Sequence, residues 1–250
     1  MDLAYDGAPF HGFARQRDVR TVQGDVEDAL AKLFGDLVTS VGAGRTDAGV
    51  HALGQVMGAA EAPDDLDAIK VRDALNGMCA PSICVWECSA MPSDWHARHS
   101  ARSRTYIYAV LEGDVPDPWL SRTSLYQPET LDLDAMNEAA GHLVGRHDFA
   151  SFGRPSERGG STERNLYELR CARSGRIVTI RARANAFIQQ MVRSLVGTLM
   201  QVGEGRRAPD EMLEVLAARD RAAAGPVAAP HGLCLVSVEY DTGWSRPAPV

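Results

Sequence analysis

The apolar positions along this chain alternate between two periods. From Thr21, Val22, Val26, Leu30 and Leu33 recur at helical spacing with Ala29 and Phe34 beside them, while Asp25, Glu27 and Asp28 fall on the other side. That pattern predicts a helix closed by Gly35. The runs Asp36 to Val41, Ala52 to Ala59 and Ile83 to Cys88 read as strands, and Leu3 to Tyr5 as the end of another. A second helix is predicted from about Asp64 to Met78, with Leu66, Ile69, Ala74 and Leu75 as its apolar side. The polar stretch Asp94 to Arg102 then joins two halves.

The second half begins with a strand, Arg104 to Glu112, which sets Tyr106, Tyr108 and Val110 on one face. A helix over Leu131 to Leu143 opens at Asp132 or Asp134. The stretch Arg154 to Glu163 has no apolar pattern and reads as a mobile basic loop. Leu166 to Ala172 and Arg176 to Ala182 form a hairpin around Ser174-Gly175. Phe187 to Val202 is the strongest helical pattern, and Pro209 opens a last helix through Ala217. Gly232 to Tyr240 is a final strand, and 241–250 a disordered tail. The expected fold is α+β: two ferredoxin-like or RRM-like halves, roughly 1–98 and 104–240, with mainly antiparallel sheets joined across a central catalytic cleft.

Composition narrows this little. The 250 residues are 45% hydrophobic and 24% charged, as in ordinary globular proteins. No run approaches the roughly 18 apolar residues of a membrane span. The first residues have neither a basic start nor an apolar core, so no signal peptide and no membrane partner are expected. Five scattered cysteines contain no CxxC pair, so neither a disulfide framework nor a zinc site is indicated. Cys84 and Cys88 lie in an apolar run and read as core residues, and a reducing cytoplasm fits.

Charge is more informative in its distribution than in its sum. The net charge of −7 argues mildly against a nucleic-acid partner. Between Arg154 and Arg193, however, nine arginines face three acids, and Arg98, Arg102 and Arg104 make a second cluster. An acidic protein with a basic face can still bind phosphates through that face.

The candidate chemistry lies in Val41-Gly42-Ala43-Gly44-Arg45-Thr46-Asp47-Ala48-Gly49-Val50-His51-Ala52, where three glycines surround Arg45, Thr46, Asp47 and His51. Taken alone, such a loop is more often a tight turn with a solvated Asp–Arg pair than a catalytic centre. It is no P-loop, because no Lys-Ser/Thr follows the glycines. The positive charge beside Asp47 favours its ionised form, which suits a nucleophile or an electrostatic stabiliser.

Further stretches agree with this one: Ala4-Tyr5-Asp6-Gly7 with Phe10 and Gly12; Thr21-Val22-Gln23-Gly24; His99-Ser100-Ala101 leading to Tyr106 and Tyr108; and His147-Asp148-Phe149 with Ser151-Phe152. So do Asn185-Ala186-Phe187 through Met191-Val192-Arg193 to Val196-Gly197, and Ala229-Pro230-His231-Gly232-Leu233 with Leu235. Together with Gly42 to His51 they make the chain closely resemble the TruA-type tRNA pseudouridine synthases. The resemblance implies an isomerase that breaks the N-glycosidic bond of a uridine in RNA, turns the base and rejoins it through C5, with no cofactor and no metal. It assigns the essential carboxylate to Asp47, acting either as nucleophile on ribose C1′ or as base toward C2′. It assigns Arg45 to the gap left by the flipped base, Tyr106 to the face of that base, Arg193 to pairing with the catalytic aspartate, and Leu233 to apolar contact with base or ribose. His51 is left structural. The implied substrate is the anticodon stem–loop of tRNA, at the uridines called 38 to 40, and the implied assembly a cytoplasmic homodimer. The arginines of 154–183 are expected on the phosphate backbone. Two departures stand out: the first strand is short, and Thr105 and Ile107 replace basic residues common on the tyrosine strand.

Overall fold

The computed structural model describes residues 1–59, 66–155 and 159–241. Along the chain the elements are β1 (Asp2–Tyr5), α1 (Val22–Phe34), β2 (Ser40–Gly42), β3 (His51–Ala59), α2 (Ala68–Cys79) and β4 (Ile83–Glu87). They continue with β5 (Ala101–Glu112), β6 (Leu125–Gln127), α3 (Leu133–Gly141), β7 (Gly145–Asp148), β8 (Glu163–Ser174) and β9 (Ile177–Ala184). The last are α4 (Met191–Gly203), α5 (Glu211–Ala218) and β10 (Leu233–Tyr240). The fold is α+β with mainly antiparallel pairing. Two compact units form: Met1–Arg102 with the chain from Cys234 onward, and Ser103–Leu233. Among the described residues no helix is long and apolar enough to cross a membrane.

In the first unit β1 lies between β4 and β3, antiparallel to both. β2 adds antiparallel to the C-terminal end of β3, through Ser40–Ala59, Val41–Gly58 and Gly42–Met57. This strand order is that of the expected ferredoxin-like unit. β10 adds to the other end of β3 in parallel, Cys234 opposite His51 and Leu235 opposite Ala52.

Helix α1 starts and stops where its sequence says. The Thr21 side chain accepts from the Gly24 N–H, and Gly35 ends the helix in the left-handed conformation at φ 79°. Its buried face is rotated from the expected one. Leu33 is exposed, whereas Glu27 is buried and accepts from Ser40 N (3.0 Å), Ser40 Oγ (2.8 Å) and Gln23 Nε2 (3.0 Å). A buried carboxylate is tolerated here because those donors satisfy it. The strand expected over 36–41 shrinks to β2, since only Ser40 to Gly42 meet partners on β3 and Leu37 stands 74% exposed.

Helix α2 begins later than expected, at Ala68, where Asp67 accepts from the Ile69 and Lys70 N–H groups. The predicted residues 64 and 65 lie outside the described residues. Of its predicted apolar side Leu75 is buried and Ile69 is exposed, with Cys79 taking the place at the core. Cys84 and Cys88, read as core, are only half-buried, while Cys79 and Cys171 are buried.

In the second unit β5, β9, β8 and β7 follow one another antiparallel, with β6 parallel on β5. Tyr106, Tyr108 and Val110 share the buried face of β5, opposite Ala182, Ile180 and Val178 of β9. Leu169 and Cys171 of β8 lie on that same face, and α3 packs there: Asn137 bonds both the Cys171 O (3.0 Å) and N (2.8 Å). The hairpin turns at Gly175, φ 58°. Helix α3 is capped by Asp132, one of the two aspartates the sequence offered.

Helix α4 starts at Met191 rather than Phe187. Gln190 takes a left-handed conformation, φ 65°, and Gln189 exchanges backbone hydrogen bonds with Arg154 (2.9 and 3.3 Å), which holds the preceding residues extended. Of the stretch 154–163 read as a mobile loop, 156–158 lie outside the described residues. The expected tail 241–250 also lies outside them, except for Asp241, which pairs with Arg102.

Candidate active site

In the first unit the glycine-rich loop is fixed through its backbone. Ala43 N donates to Val56 O (2.7 Å), Phe13 N to Thr46 O (3.0 Å) and Val50 N to Asp47 O (3.1 Å). Fully buried Gln55 reaches across from β3 and donates to Gly44 O (2.8 Å). The Thr46 side chain points inward to the Tyr5 hydroxyl at 2.8 Å. Burial pushes the Tyr5 phenol well above its usual range, with the Thr46 and Gln55 bonds opposing it, so the hydroxyl stays neutral and serves as a latch. With Thr46 turned in, its neighbours turn out: Arg45 is exposed and Asp47 half-buried.

The loop entering α1 is braced against the same segment. His51 Nδ1 accepts from Gly7 N at 3.1 Å, so the imidazole holds backbone to backbone, the structural role assigned to it. Gly7 has no room for a side chain, because a Cβ there would lie 2.1 Å from Val50 O. Tyr5, Gln55 and Gly7 thus hold the residues on either side of Asp47, through Thr46, Gly44 and Val50–His51. Of these Gln55 carried no signal in the sequence, since a polar residue in a strand reads as solvent-facing.

In the second unit Tyr106 is 7% exposed on β5, and its ring and that of Phe187 lie perpendicular, 89° apart in plane, with centroids 5.2 Å apart. Such a T-shaped contact fixes the position of the tyrosine ring. Phe187 sits in the extended segment before α4, where helical periodicity had hidden this role. Two residues into α4, Arg193 is half-buried, not solvated as the helical pattern alone suggests. Its Nε donates to Ala228 O (2.7 Å) and its own carbonyl accepts from Ala228 N (3.1 Å), so the segment before β10 clamps it. Leu233 is 5% exposed at the start of β10. Asp47 and Arg45 therefore belong to the first unit, and Tyr106, Arg193 and Leu233 to the second.

The arginine-rich stretch does not form the single basic face expected of it. Arg173 gives its guanidinium to the buried Glu112 carboxylate (2.8 and 2.9 Å) and to Leu131 O (2.7 Å). Arg176 binds the carbonyls of Glu112 and Val115. The cause is the period of two along a strand: Arg170 stands opposite Arg181, but Arg173 stands opposite Val178 on the helix-packed side.

The family model of tRNA pseudouridine synthases matches residues 139–241. Full-length similarity is stronger. The chain is 46% identical over 244 residues to tRNA pseudouridine synthase A of Acidiphilium cryptum, covering 96% of this chain and 95% of that protein. It is 41% identical over 248 residues to the protein of the same name from Paramagnetospirillum magneticum, covering 99% and 96%. With that of Sinorhizobium fredii it shares 39% over 243 residues, covering 96% and 98%. The chain belongs to the tRNA pseudouridine synthase family. Among solved structures, a chain of a Cbf5-Nop10-Gar1 complex is similar at TM-score 0.33 and 14% identity, over 80% of this chain and 54% of that one. That likeness is too slight to carry an argument.

Proposed function

We propose that this chain isomerises uridine to pseudouridine in the anticodon stem–loop of tRNA, with Asp47 as the reacting carboxylate. Similarity to the tRNA pseudouridine synthases along nearly its whole length supports the isomerase and its tRNA substrate. The observation that carries the assignment of Asp47 is local. Its backbone is fixed within a latched loop, while its side chain stays half-exposed beside the exposed Arg45.

The chemistry asks for such an arrangement. The C1′–N1 bond breaks, the base turns, a C1′–C5 bond forms, C5 gives up its hydrogen and N1 takes a proton. Atoms and electrons balance without an oxidant or reductant. An ionised carboxylate supplies the first step, by attack on C1′ or by removing the C2′ proton. A base embedded in a stem must leave its stack before this can happen, and the long cationic side chain of Arg45 occupies the vacated place. In the second unit Tyr106 offers its ring to the uracil, Arg193 supplies a positive charge fixed by Ala228, and Leu233 gives apolar contact. The enzyme acts as a cytoplasmic homodimer in this reading.

The test uses tRNA transcripts carrying tritium at C5 of uridine. Wild type is expected to release tritium to water, and Asp47→Asn to release none while binding the same tRNA. Mapping the product then reads the sites. Equal release by Asp47→Asn removes Asp47 from the mechanism, and no release from any tRNA by folded wild type removes the proposed activity.

A further inference from the structure

The β5–β9–β8 sheet of the second unit has one face packed by α3 and one face open toward β8, where Arg170 and Ala172 are exposed, and closed at Thr105, which is 0% exposed. Strand register says which residues belong to which. Tyr106, Ala182 and Leu169 are in line on the packed face; Ile107, Arg181 and Arg170 are in line on the other. Thr179 and Ala172 continue that open row, and Arg183 and Glu168 flank it. Arg170 is exposed, and so are Tyr167 at 40% and the Arg181 side chain at 39%. The Arg183 guanidinium lies over the Tyr167 ring at 5.2 Å.

Arg170, Arg181 and Arg183 thus lie on this surface together with Glu168. Glu168 answers Arg181 at 3.2 Å. Among the described residues Arg170 has no ion-pair partner, although it stands directly opposite Arg181. Like charges directly across a strand pair are destabilising on their own. Their arrangement over a floor of small residues, Ala109, Ala172 and Thr179, leaves room for an anionic backbone, and an arginine stacked on a tyrosine suits an unpaired base.

We propose that this open face, with Arg170, Arg181, Arg183 and Tyr167, is a second RNA-docking surface, on the opposite side of the sheet from Tyr106. The inference rests on tRNA being the substrate. It assigns to this face a segment of RNA other than the one that carries the target uridine. It also explains how a chain of net charge −7 holds a polyanion, by concentrating arginine where lysine and acids are few.

The experiment measures the affinity of purified full-length protein for a tRNA transcript as a function of salt. The variant Arg170→Gln/Arg181→Gln/Arg183→Gln is compared with wild type. Loss of three phosphate contacts is expected to flatten the slope of log K against log salt by about 2 to 3, and to weaken binding roughly tenfold or more near physiological salt. The single variant Arg170→Gln removes no ion pair among the described residues, and is expected to flatten the slope by just under 1. It serves as the reading if the triple variant does not fold. Unchanged slopes overturn the proposal. So does a fall in molecular mass by light scattering at unchanged affinity, which makes the face an interface between copies of the chain. Tritium release by wild type is measured alongside. Its absence with normal salt-dependent binding defeats the isomerase reading alone, and its presence with unchanged slopes in the variants defeats the docking face alone.

Discussion

At Glu112 one side chain shows how this protein manages buried charge. The carboxylate is 6% exposed and accepts from Arg173 twice and from the Leu131 N–H at 2.8 Å. Burial alone pushes its pKa up, but the Arg173 bonds and the Leu131 N–H outweigh it and hold the group below the usual glutamate value of 4.5. A folded-state pKa below the unfolded one means stability that is fully present above pH 4.5 and is lost as pH falls through the lower folded value. Glu112→Gln is expected to cost about 2 kcal/mol at neutral pH, since charge-assisted bonds are lost but Arg173 keeps a third of its side chain in water. It should also flatten the acid limb of the stability profile below pH 4.5. Denaturant melts at pH 7 and pH 4 check both, and an acid limb as steep as that of wild type refutes the assignment. None of this was legible in sequence, where Arg173 reads as one more cation in a basic stretch.

Among the elements, α4 shows where helical patterns succeed and where they stop. Its wide apolar face, Met191 to Leu199, is plain from the sequence and is buried as read. Its start was not plain, because Phe187 and Ile188 continue the period while Gln190 and the Gln189–Arg154 pairing end the helix. Within it Gly197 breaks the rule that alanine outranks glycine in a helix by about 1 kcal/mol. A Cβ there would lie 1.8 Å from Pro226 O, against a backbone that cannot move aside cheaply. Gly197→Ala is therefore expected to lose several kcal/mol rather than gain one, as overpacking outweighs propensity. Thermal unfolding decides it; a raised melting temperature refutes the close packing of 226 on α4. The clamp of Ala228 on Arg193 depends on the same contact, so a partly folded variant should also lose turnover.

In the whole molecule the last strand is the feature that chain order conceals. β10 follows every element of the second unit, yet it groups with the first, pairing in parallel with β3 at His51 and Ala52. Tyr240 near its end donates to Ala97 O (2.6 Å) and packs on Trp95 at 5.3 Å. Ending the chain after Gly232 is thus expected to expose β3 and the Asp47 loop to hydrogen exchange, and to abolish turnover. Undiminished protection of the β3 amides in that truncation would show that β10 is dispensable to the first unit.

What sequence alone determined is local or pattern-borne: the α1 caps, the β8–β9 hairpin, the α+β class, and the motif around Asp47 with the family it belongs to. Those depend on residue type and spacing, which are complete in the string of letters. Only the tertiary structure decided that Arg173 and Arg176 are tied to Glu112, Leu131 and Val115 while Arg170 stands exposed, that Gln55 and Tyr5 latch the Asp47 loop, that Phe187 abuts Tyr106, and that β10 joins β3. Each of these is a pairing between distant segments, fixed by strand register and by the satisfaction of buried polar groups, and register is set only when the strands meet.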